Sequence, residues 1–495
     1  MDTLDFSSWS RHPAKVALVC GKHSITYADL VRRAAEIAGR LGALGVAGQR
    51  VALLLPNGTD LVCCYLACLE AGITAVPLNP RSTAAELDFY LTACDTPWLL
   101  THGERLLSLG SALAPGRRLL AVEEPESWDV SPLAAHPGRP PQPTDSGSRP
   151  ALIFFTSGTT DRPKGVVYSL ASLASSIAPF FSAPFLRYCG VPRGEMVYLN
   201  IASMADTVGC IHVLWTLRAG GTAVLQDGFD TDSYLAALDR YRPTHSTLFL
   251  PHAIRLLAHP STVRDRFRSL RMLCFAGDKT PVELIQFCRE ITGRVPLVGY
   301  GMTESFVIAL NLSSSPTRFG SMGRPVPGVE VRIAGPRGEP AAAGTAGEIL
   351  VRSPQTMLGY WRDPIATKRA FAKGGWLKTG DLATVDRDGY LWFTGRKKHI
   401  FIRGGENISP QEIEGTLHRH PAVKLAVVVG TRDPVLGEVP VAFVELRNGG
   451  TASAADLTSY LARELVHYKV PSSIHLVRDW PLTRTGKVDR RKLCP

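Results

Sequence analysis

The first part of the chain alternates between short apolar runs and longer segments whose apolar residues have helical spacing. YADLVRRAAEIAGRLGALG (27–45) has apolar residues at helical intervals and ends on glycines, which predicts an amphipathic helix. RVALLLPNG (50–58) predicts a buried strand closing in a turn, TDLVCCYLACLEAG (59–72) a helix, and ITAVPLNP (73–80) the next strand. This order of strand, helix and strand predicts a mostly parallel sheet covered by helices.

The alternation is interrupted once by a segment rich in proline, serine and glycine, residues 123–150, which predicts a surface loop. It then resumes with the apolar runs ALIFF, YLNIA, TAVLQ, LRMLCFAG and VPLVGYG. Near residue 395 the character changes. TGRKKHIFIRGGENISP (394–410) is basic and contains glycine, and a helix, two strands and a second helix are predicted after it.

The pattern therefore predicts an α/β fold of two domains. A large N-terminal domain, residues 1–394, would contain mostly parallel sheets flanked by helices. A small α+β C-terminal domain would span residues 395–495, with the junction at Gly395–Lys398. A chain of 495 residues agrees with this division, because a single domain usually holds about 100–200 residues.

Charge and composition narrow the class of partner. The formal net charge of +11 suits an anionic small molecule or a nucleic acid. The basic residues are neither clustered in runs nor interleaved with aromatic ones, so we expect no nucleic-acid partner. The N-terminus has no signal-peptide pattern, and Glu70 interrupts the most apolar stretch, so we expect no membrane association. Ten scattered cysteines without a CxxC pair fit a cytoplasmic protein.

The segment TSGTTDRPKGV (156–166) concentrates small hydroxyl residues, two glycines and one lysine directly after a predicted strand. Ligands bind at the carboxyl ends of strands in parallel sheets, and exposed amides beside hydroxyl groups suit phosphate oxygens. Gly158 and Gly165 would let the backbone adopt positive φ and approach a ligand, while Lys164 would add a charge. The spacing differs from GxxxxGK[ST], because Pro163 occupies the position of the second glycine, so the motif of P-loop nucleoside triphosphatases is excluded.

This segment resembles the phosphate loop of the adenylate-forming enzymes, the superfamily of acyl-CoA synthetases, luciferases and peptide-synthetase adenylation domains. Four further stretches resemble its motifs in the same order along nearly the whole chain: GYGMTES (299–305), TGDL (379–382), GRKKHIFIRGGENISPQEIE (395–414) and PLTRTGKVDRRKL (481–493). The resemblance implies that the chain joins a carboxylic acid to ATP, with Mg²⁺, to give an acyl-adenylate and pyrophosphate.

The resemblance also implies a role for each matching residue. Tyr300 would lie against adenine, Thr303 would bond the α-phosphate, and Glu304 would hold Mg²⁺. Asp381 would accept from the ribose hydroxyls. The residues expected at the phosphates, the sugar and the reacting carboxylate are Thr156, Ser157, Gly158, Thr159, Thr160 and Lys164 for the β and γ phosphates, Arg396 for the ribose, and Lys487 for the carboxylate and α-phosphate.

The family's hinge position is occupied by Lys398, and the resemblance implies that the small domain is mobile and rotates between the two half-reactions. Three departures from the family pattern stand out. Asp161 places a carboxylate in the phosphate loop, where it would face solvent or weaken ATP binding. His399 follows the hinge where an acidic residue is commoner. Asp278 and Lys279 replace small residues beside the acid pocket.

The acceptor of the acyl group is the open question of the second half-reaction. In YLNIASMADTVGCIHVLW, Asp206 and His212 resemble the pair of the amide bond synthetases, which couple an aryl acid to an amine. An alkylamine has a pKa of about 10, so a carboxylate would hold it as a cation and an imidazole would serve as partner base. Six residues do not share one face of a helix, so the pairing predicts a bend or loop at Thr207–Gly209.

Other interpretations of the same residues stay open. His212 packs in the core and Asp206 caps the following helix, or Asp206 anchors an amino group on the acid itself. The main alternative function is a carboxylic acid–CoA ligase, for which CoA replaces the amine. A nucleotide-binding protein without catalysis is a third alternative, against which Lys487 and Glu304 count.

Aromatic and small residues from several segments would form the acid pocket and favour a flat aromatic acid. The expected pocket residues are Met204, Phe275, Gly277, Gly299 and Gly301. The identity of the acid and the oligomeric state are not specified by the sequence.

Overall fold

We describe a computed structural model of the chain. It covers residues 12–46, 48–109, 117–122, 148–156, 163–277, 279–335, 337–342, 344–397, 401–403, 406–433, 436–447, 449–482 and 488–493. The helices of these segments are α1 (Tyr27–Ala43), α2 (Thr59–Glu70), α3 (Ala84–Ala93), α4 (Gly103–Leu109), α5 (Leu170–Ile177), α6 (Ala183–Cys189), α7 (Thr207–Arg218), α8 (Thr231–Tyr241), α9 (Leu250–Ala258), α10 (Val282–Thr292), α11 (Pro364–Ala370), α12 (Pro410–His418) and α13 (Ala454–Glu464).

Two mixed sheets dominate the N-terminal region. The first contains, in spatial order, β15 (Arg324–Pro325), β14 (Ser305–Asn311), β13 (Leu297–Met302), β12 (Met272–Ala276), β11 (His245–Phe249), β9 (Val197–Asn200), β10 (Thr222–Leu225), β1 (Val16–Cys20) and β2 (His23–Thr26). The second contains β18 (Gly359–Tyr360), β8 (Lys164–Ser169), β7 (Pro150–Thr156), β4 (Thr74–Pro77), β3 (Arg50–Leu54), β5 (Trp98–Thr101) and β6 (Arg118–Ala121). Neighbouring strands pair in parallel from β13 to β1 in the first sheet and from β7 to β6 in the second, as predicted.

Two smaller sheets follow along the chain. An antiparallel one contains β16 (Glu330–Ala334), β17 (Gly347–Arg352), β20 (Trp376–Val385), β19 (Phe371–Ala372) and β21 (Leu391–Arg396). The sheet of the C-terminal region contains β23 (Glu406–Ile408), β22 (Phe401–Arg403), β25 (Gly437–Leu446), β24 (Val423–Asp433) and β26 (Ser473–Leu476). This mixed architecture of a large parallel-rich N-terminal part and a small C-terminal part confirms the predicted fold class.

The hydrophobic core explains why the first predicted elements form. Thr26 caps helix α1, since its side chain accepts a hydrogen bond from the Asp29 amide, and the helix buries Leu30, Ala34 and Leu41. Helix α2 is apolar on all sides and is buried between the two large sheets. Cys64 lies on it with no exposed surface, and burial raises the pKa of its thiol well above the usual value.

None of the helices in the described segments is both long and apolar enough to cross a membrane. The predicted domain boundary after residue 394 falls inside β21, which pairs with β20 through Arg396, opposite Asp381. The Lys397 amide also donates to the Gly380 carbonyl oxygen at 2.8 Å. Regular pairing with the antiparallel sheet therefore continues through residue 397.

Candidate functional site

An apolar cavity opens at the carboxyl ends of β12 and β13. Its volume is about 140 Å³, and its walls come from these two strands, β14, helix α7 and the segment before α6. The described residues in its wall are Phe180, Thr207, Val208, His212, Phe249, Met272, Cys274, Ala276, Gly277, Leu297, Gly299, Tyr300, Gly301, Met302, Thr303, Phe306, Val307 and Leu310. None of these described side chains is an acid, a lysine or an arginine, so this cavity suits a neutral, flat group.

Strand β12 contributes alternate residues to this cavity. Met272, Cys274 and Ala276 line it, because successive side chains of a strand point to opposite faces. Phe275 points to the other face and packs in a separate cluster with helices α8, α9 and α10. The prediction that Phe275 lines the acid pocket is therefore wrong.

The prediction that Met204 lines the acid pocket is also wrong. It has 1 % exposure and packs in the central core, outside the cavity wall. Its backbone is fixed at both ends, since its amide donates to Asn57 Oδ1 at 2.8 Å and its carbonyl oxygen accepts from the Tyr65 hydroxyl. Gly277, Gly299 and Gly301, by contrast, do line the cavity.

Gly301 is required by close packing. A Cβ atom at this position would lie 1.7 Å from the carbonyl oxygen of Phe306, a backbone atom on the neighbouring strand. Any side chain would force β13 and β14 apart. At Gly299 a Cβ atom would meet only Leu310 Cδ2 at 3.4 Å and Cys274 Sγ at 3.7 Å, which are ordinary contacts. A side chain there would reduce the volume of the cavity, but strand packing does not require glycine at this position.

His212 is a buried imidazole in the cavity wall. Rings surround it, with centroids 5.4 Å away at Phe180, 5.3 Å at Tyr198 and 5.5 Å at Phe306. Its Nδ1 atom makes no hydrogen bond of normal geometry within the described residues. Burial lowers the pKa of His212 to about 4, opposed by the Val208 carbonyl one turn earlier, so the imidazole is neutral at neutral pH.

We expect low pH to weaken the fold through His212 and His245, whose pKa burial lowers to about 3. Both are neutral when folded and take up a proton below about pH 6.5 when unfolded. Stability is therefore full above that pH and is lost as the pH falls towards the folded-state values. For His212 the loss from about pH 7 to about pH 5 amounts to about 2 kcal/mol.

Thermal unfolding at these two pH values measures this effect against a His212→Leu variant. The variant should lose less stability than the wild type on acidification. An equal loss in both proteins would contradict a neutral, buried His212.

Helix α7 places Asp206 and His212, the residues predicted to act on the amine, differently from the prediction. The helix begins at Thr207 and runs to Arg218, and the Cys210 amide donates to the Asp206 carbonyl oxygen as in a regular first turn. The predicted bend at Thr207–Gly209 is therefore wrong. Gly209 makes the straight start possible, because a Cβ atom there would lie 2.4 Å from the Ser203 carbonyl oxygen.

Asp206 and His212 consequently lie on different sides of the helix start. Asp206 occupies the N-cap position, although its side chain accepts no capping hydrogen bond. Its charge contributes to raising the pKa of Tyr65, on helix α2, after the larger effect of burial. His212 faces Phe180 and Phe306 in the cavity wall instead.

A second cavity adjoins the first and gathers the residues predicted for adenine and ribose. It shares Gly277, Gly299, Tyr300 and Gly301 with the apolar cavity and also contains Asp381 and Arg396. The Tyr300 hydroxyl donates to Asp381 Oδ2 at 2.9 Å, and Arg396 Nε lies 2.8 Å from Asp381 Oδ1. Burial, and then the charge of Asp381, raise the pKa of Tyr300 well above its usual value, which keeps the phenol protonated as a donor.

Glu304 and Lys164 meet around an aromatic ring that the sequence analysis missed. The Tyr360 hydroxyl donates to Glu304 Oε1 at 2.7 Å, and Lys164 Nζ lies 5.1 Å from the centre of the Tyr360 ring. The Thr303 carbonyl oxygen accepts from the Tyr168 hydroxyl at 2.7 Å. No local pattern marks Tyr360, because the two-residue strand β18 reaches β8 from almost two hundred positions away.

The chemistry of this corner fits Mg²⁺ bound together with phosphates. Mg²⁺ usually takes one or two protein carboxylates and completes its shell with phosphate oxygens and water. Glu304 supplies one half-buried carboxylate. The Tyr360 hydroxyl bonds only its Oε1 atom, which leaves Oε2 as the oxygen that would face the ion. Lys164, close by, supplies positive charge for phosphate oxygens.

The predicted phosphate loop connects two antiparallel strands. Thr156, at the end of β7, pairs with Lys164, at the start of β8, so the loop closes a hairpin rather than joining a strand to a helix. Gly165 lies within β8 outside the left-handed region, and a Cβ atom there would meet Ile153 Cγ2 at 2.8 Å. Its lack of a side chain serves sheet packing, which corrects the predicted role in ligand approach.

Several predicted residues lie outside the described ones: Ser157, Gly158, Thr159, Thr160, Asp161, Asp278, Lys398, His399 and Lys487. Val488, which follows Lys487, lines an interdomain cavity of about 230 Å³ together with Gly277 and Thr280. This interdomain cavity lies between helices α9 and α10 on one side and α12 and β24 on the other. Val488 therefore lines a cavity that shares Gly277 with the acid and nucleotide cavities.

Comparison with known proteins agrees with this geometry. Residues 6–361 match the AMP-binding enzyme family, and residues 412–487 match the AMP-binding enzyme C-terminal domain. A feruloyl-CoA synthase from Amycolatopsis sp. is 35% identical over 480 residues, covering 96% of this chain and 94% of that protein.

Two solved structures with the same fold are similar to this chain over nearly its whole length. ATP-bound MatB from Rhodopseudomonas palustris has a TM-score of 0.89 at 27% identity, covering 100% of this chain and 98% of that one. The amide bond synthetase McbA from Marinactinospora thermotolerans has a TM-score of 0.87 at 29% identity, covering 99% and 98%.

Proposed function

The chain belongs to the AMP-binding enzyme family and is an adenylate-forming ligase, and on that premise we propose that it activates an aromatic carboxylic acid and transfers the acyl group to an amine. The observation that carries the first part is the junction of two cavities. An apolar, aromatic cavity meets the cavity of Asp381 and Arg396 at Gly299, Tyr300 and Gly301. An aromatic acid in the first would therefore place its carboxylate against a nucleotide in the second.

In the first half-reaction, a carboxylate oxygen attacks the α-phosphorus of ATP and pyrophosphate leaves. Thr303 lines the acid cavity and would donate to the α-phosphate. Lys487, which precedes the cavity residue Val488 in the sequence, would neutralise the charge that develops as two anions join. Glu304 would hold Mg²⁺, which when bound neutralises charge on the phosphates. The Thr156–Lys164 segment would bind the β and γ phosphates.

In the second half-reaction, the ammonium group loses one proton to become an amine, its nitrogen attacks the acyl carbon, AMP leaves, and the nitrogen loses a second proton as the amide forms. Asp206 is the residue we assign to hold the incoming ammonium group, because it adjoins Thr207 in the acid cavity wall. His212 lies on another side of the helix start, in contact with the acid cavity, and a role in recognising the acid suits it better than a role as base.

CoA is the second candidate acceptor. The feruloyl-CoA synthase is similar over nearly the whole chain. The interdomain cavity shares Ala276 and Gly277 with the acid cavity and contains Lys279, Arg419 and Arg490. Such cations suit the phosphates of a nucleotide thiol.

The test is incubation with ATP, Mg²⁺, a panel of aryl acids and either CoA or a panel of amines, with products identified by mass spectrometry. We expect pyrophosphate release and amide formation. Thioester formation without amide would overturn the amine assignment and support CoA. No pyrophosphate release with any acid would contradict the adenylation itself.

We expect Asp206→Asn to separate the two half-reactions. Amide formation should fall by about 100-fold, since the ammonium loses its carboxylate, whereas acyl-adenylate formation should stay near the wild-type rate. Asp230→Asn is a matched control, because Asp230 occupies the N-cap of helix α8, away from the cavities described above. Equal loss of both half-reactions in Asp206→Asn would contradict the assignment.

We also propose that the two domains join after residue 397, near Lys398 as the hinge. The pairing of β21 with β20 supports this position, since it holds residues 395 and 396 in the antiparallel sheet. Partial proteolysis followed by mass determination would locate the junction.

A further inference from the structure

The wall of the acid cavity contains a buried imidazole, His212, whose Nδ1 atom has no hydrogen-bonding partner among the described residues, and this deepens the proposed function, on which it rests. His212 is only 6 % exposed and lies in the wall of the cavity. The aromatic rings around it supply no hydrogen-bonding partner for Nδ1. A buried polar atom in a native protein usually has a partner, so the ligand is the natural source of one.

The neighbouring backbone offers an acceptor for one N–H of the ring. The Val208 carbonyl, one turn before His212, favours a proton on the ring. Because the imidazole is neutral, it carries one proton, and its other nitrogen keeps a lone pair that accepts a hydrogen bond. A donor on the substrate therefore complements this ring, and a second acceptor or an anion does not.

The size and charge of the cavity define the rest of the substrate. A cavity of 150 Å³ lined by apolar side chains takes benzene, so about 140 Å³ suits a single aromatic ring. No acid, lysine or arginine stands among the described wall residues to compensate a second charge. Burying an unpaired carboxylate or ammonium group there would be costly.

We propose that the acid substrate is a compact aromatic carboxylic acid that carries a neutral hydrogen-bond donor, a phenolic O–H or an aryl N–H, directed at His212. The donor bonds the unprotonated ring nitrogen, and the carboxylate reaches the nucleotide cavity through Gly299 and Gly301. A ring with a second carboxylate is excluded by the uncharged wall.

Pyrophosphate release from matched acids tests this proposal on the wild-type enzyme. The probes are 3- and 4-hydroxybenzoate, the corresponding fluorobenzoates, which lack the donor at nearly the same size, and terephthalate. At least one hydroxy acid should exceed its fluoro partner by about tenfold in kcat/KM, as one hydrogen bond accounts for. Equal use of both members of each pair, or efficient use of terephthalate, would overturn the proposal.

The variant His212→Leu provides the second measurement. It should bring the ratio of kcat/KM for the hydroxy and fluoro acids to about one, because a ratio of two substrates does not depend on the amount of folded enzyme. His252→Leu is a matched control, since His252 is another histidine with a pKa lowered by burial, but it stacks on Phe229 outside the acid cavity. This control should keep the wild-type ratio, and an unchanged ratio in His212→Leu would also overturn the proposal.

These results separate two kinds of failure. If no acid in any panel releases pyrophosphate, the proposed function is wrong. If acids are activated without regard to the ring donor, adenylation stands and the recognition by His212 is wrong.

Discussion

Replacing Lys487 by alanine should lower the rate of acyl-adenylate formation by about 100-fold or more, a loss comparable to removing one donor that stabilises developing charge. The reaction brings a carboxylate and a triphosphate together, and one ammonium group between them offsets their repulsion. Val488, the next residue in the sequence, lines the interdomain cavity with Gly277 and Thr280, and this supports the role that we propose for Lys487. Pyrophosphate release under single-turnover conditions measures the effect.

Two controls make the Lys487 result specific. Lys492→Ala removes an exposed lysine five residues later in the same C-terminal segment and should leave the rate unchanged. When the acyl-adenylate is supplied ready-made with the acceptor, Lys487→Ala should still transfer the acyl group, because that step needs no charge between two anions. Adenylate formation at the wild-type rate in Lys487→Ala would refute the assignment of the reaction.

Asp381→Ala is expected to raise the KM for ATP and to lower kcat/KM for ATP by about 100-fold. Two charge-assisted hydrogen bonds to a sugar are worth this much together. The substitution also leaves Arg396 and the Tyr300 hydroxyl without the carboxylate that they now share. The measurement is initial rate against ATP concentration, together with AMP binding by calorimetry.

The control for Asp381 lies in the hairpin between β20 and β21. Asp388 is an exposed partner of Arg318 in that turn and lines none of the cavities described above. Asp388→Ala should bind ATP normally. If Asp381→Ala bound AMP and used ATP as the wild type does, the sugar site would have to be sought elsewhere.

Patterns that act over a few residues predicted the fold well. The amphipathic spacing of residues 27–45 corresponds to helix α1, which ends at Ala43, and the apolar run of residues 59–72 corresponds to α2. Parallel pairing was predictable because strands joined by helices pair in this way. The end of α13 at Glu464 was harder to predict, because a short 3₁₀ turn near His467 follows the helix instead of a further helical turn.

The candidate site shows where sequence reasoning reaches its limit. Tyr300, Asp381 and Arg396 were predicted as a group and do line one cavity. Which face of β12 turns to the cavity was not predictable, because an all-apolar strand buried on both sides has no alternation to read. The contact of Tyr360 with Glu304 depends on pairing between distant strands, which no local pattern encodes.

The alternation along β12 has a practical consequence for redesign. Its even- and odd-numbered residues pack in two separate hydrophobic clusters. Cys274 belongs to the core between the large sheets, and Phe275 belongs to the cluster under helices α8, α9 and α10. Substitutions at Met272, Cys274 and Gly299 can therefore reshape the acid cavity while the outer helical layer stays intact. A small combinatorial library at these positions would broaden or shift the range of accepted acids.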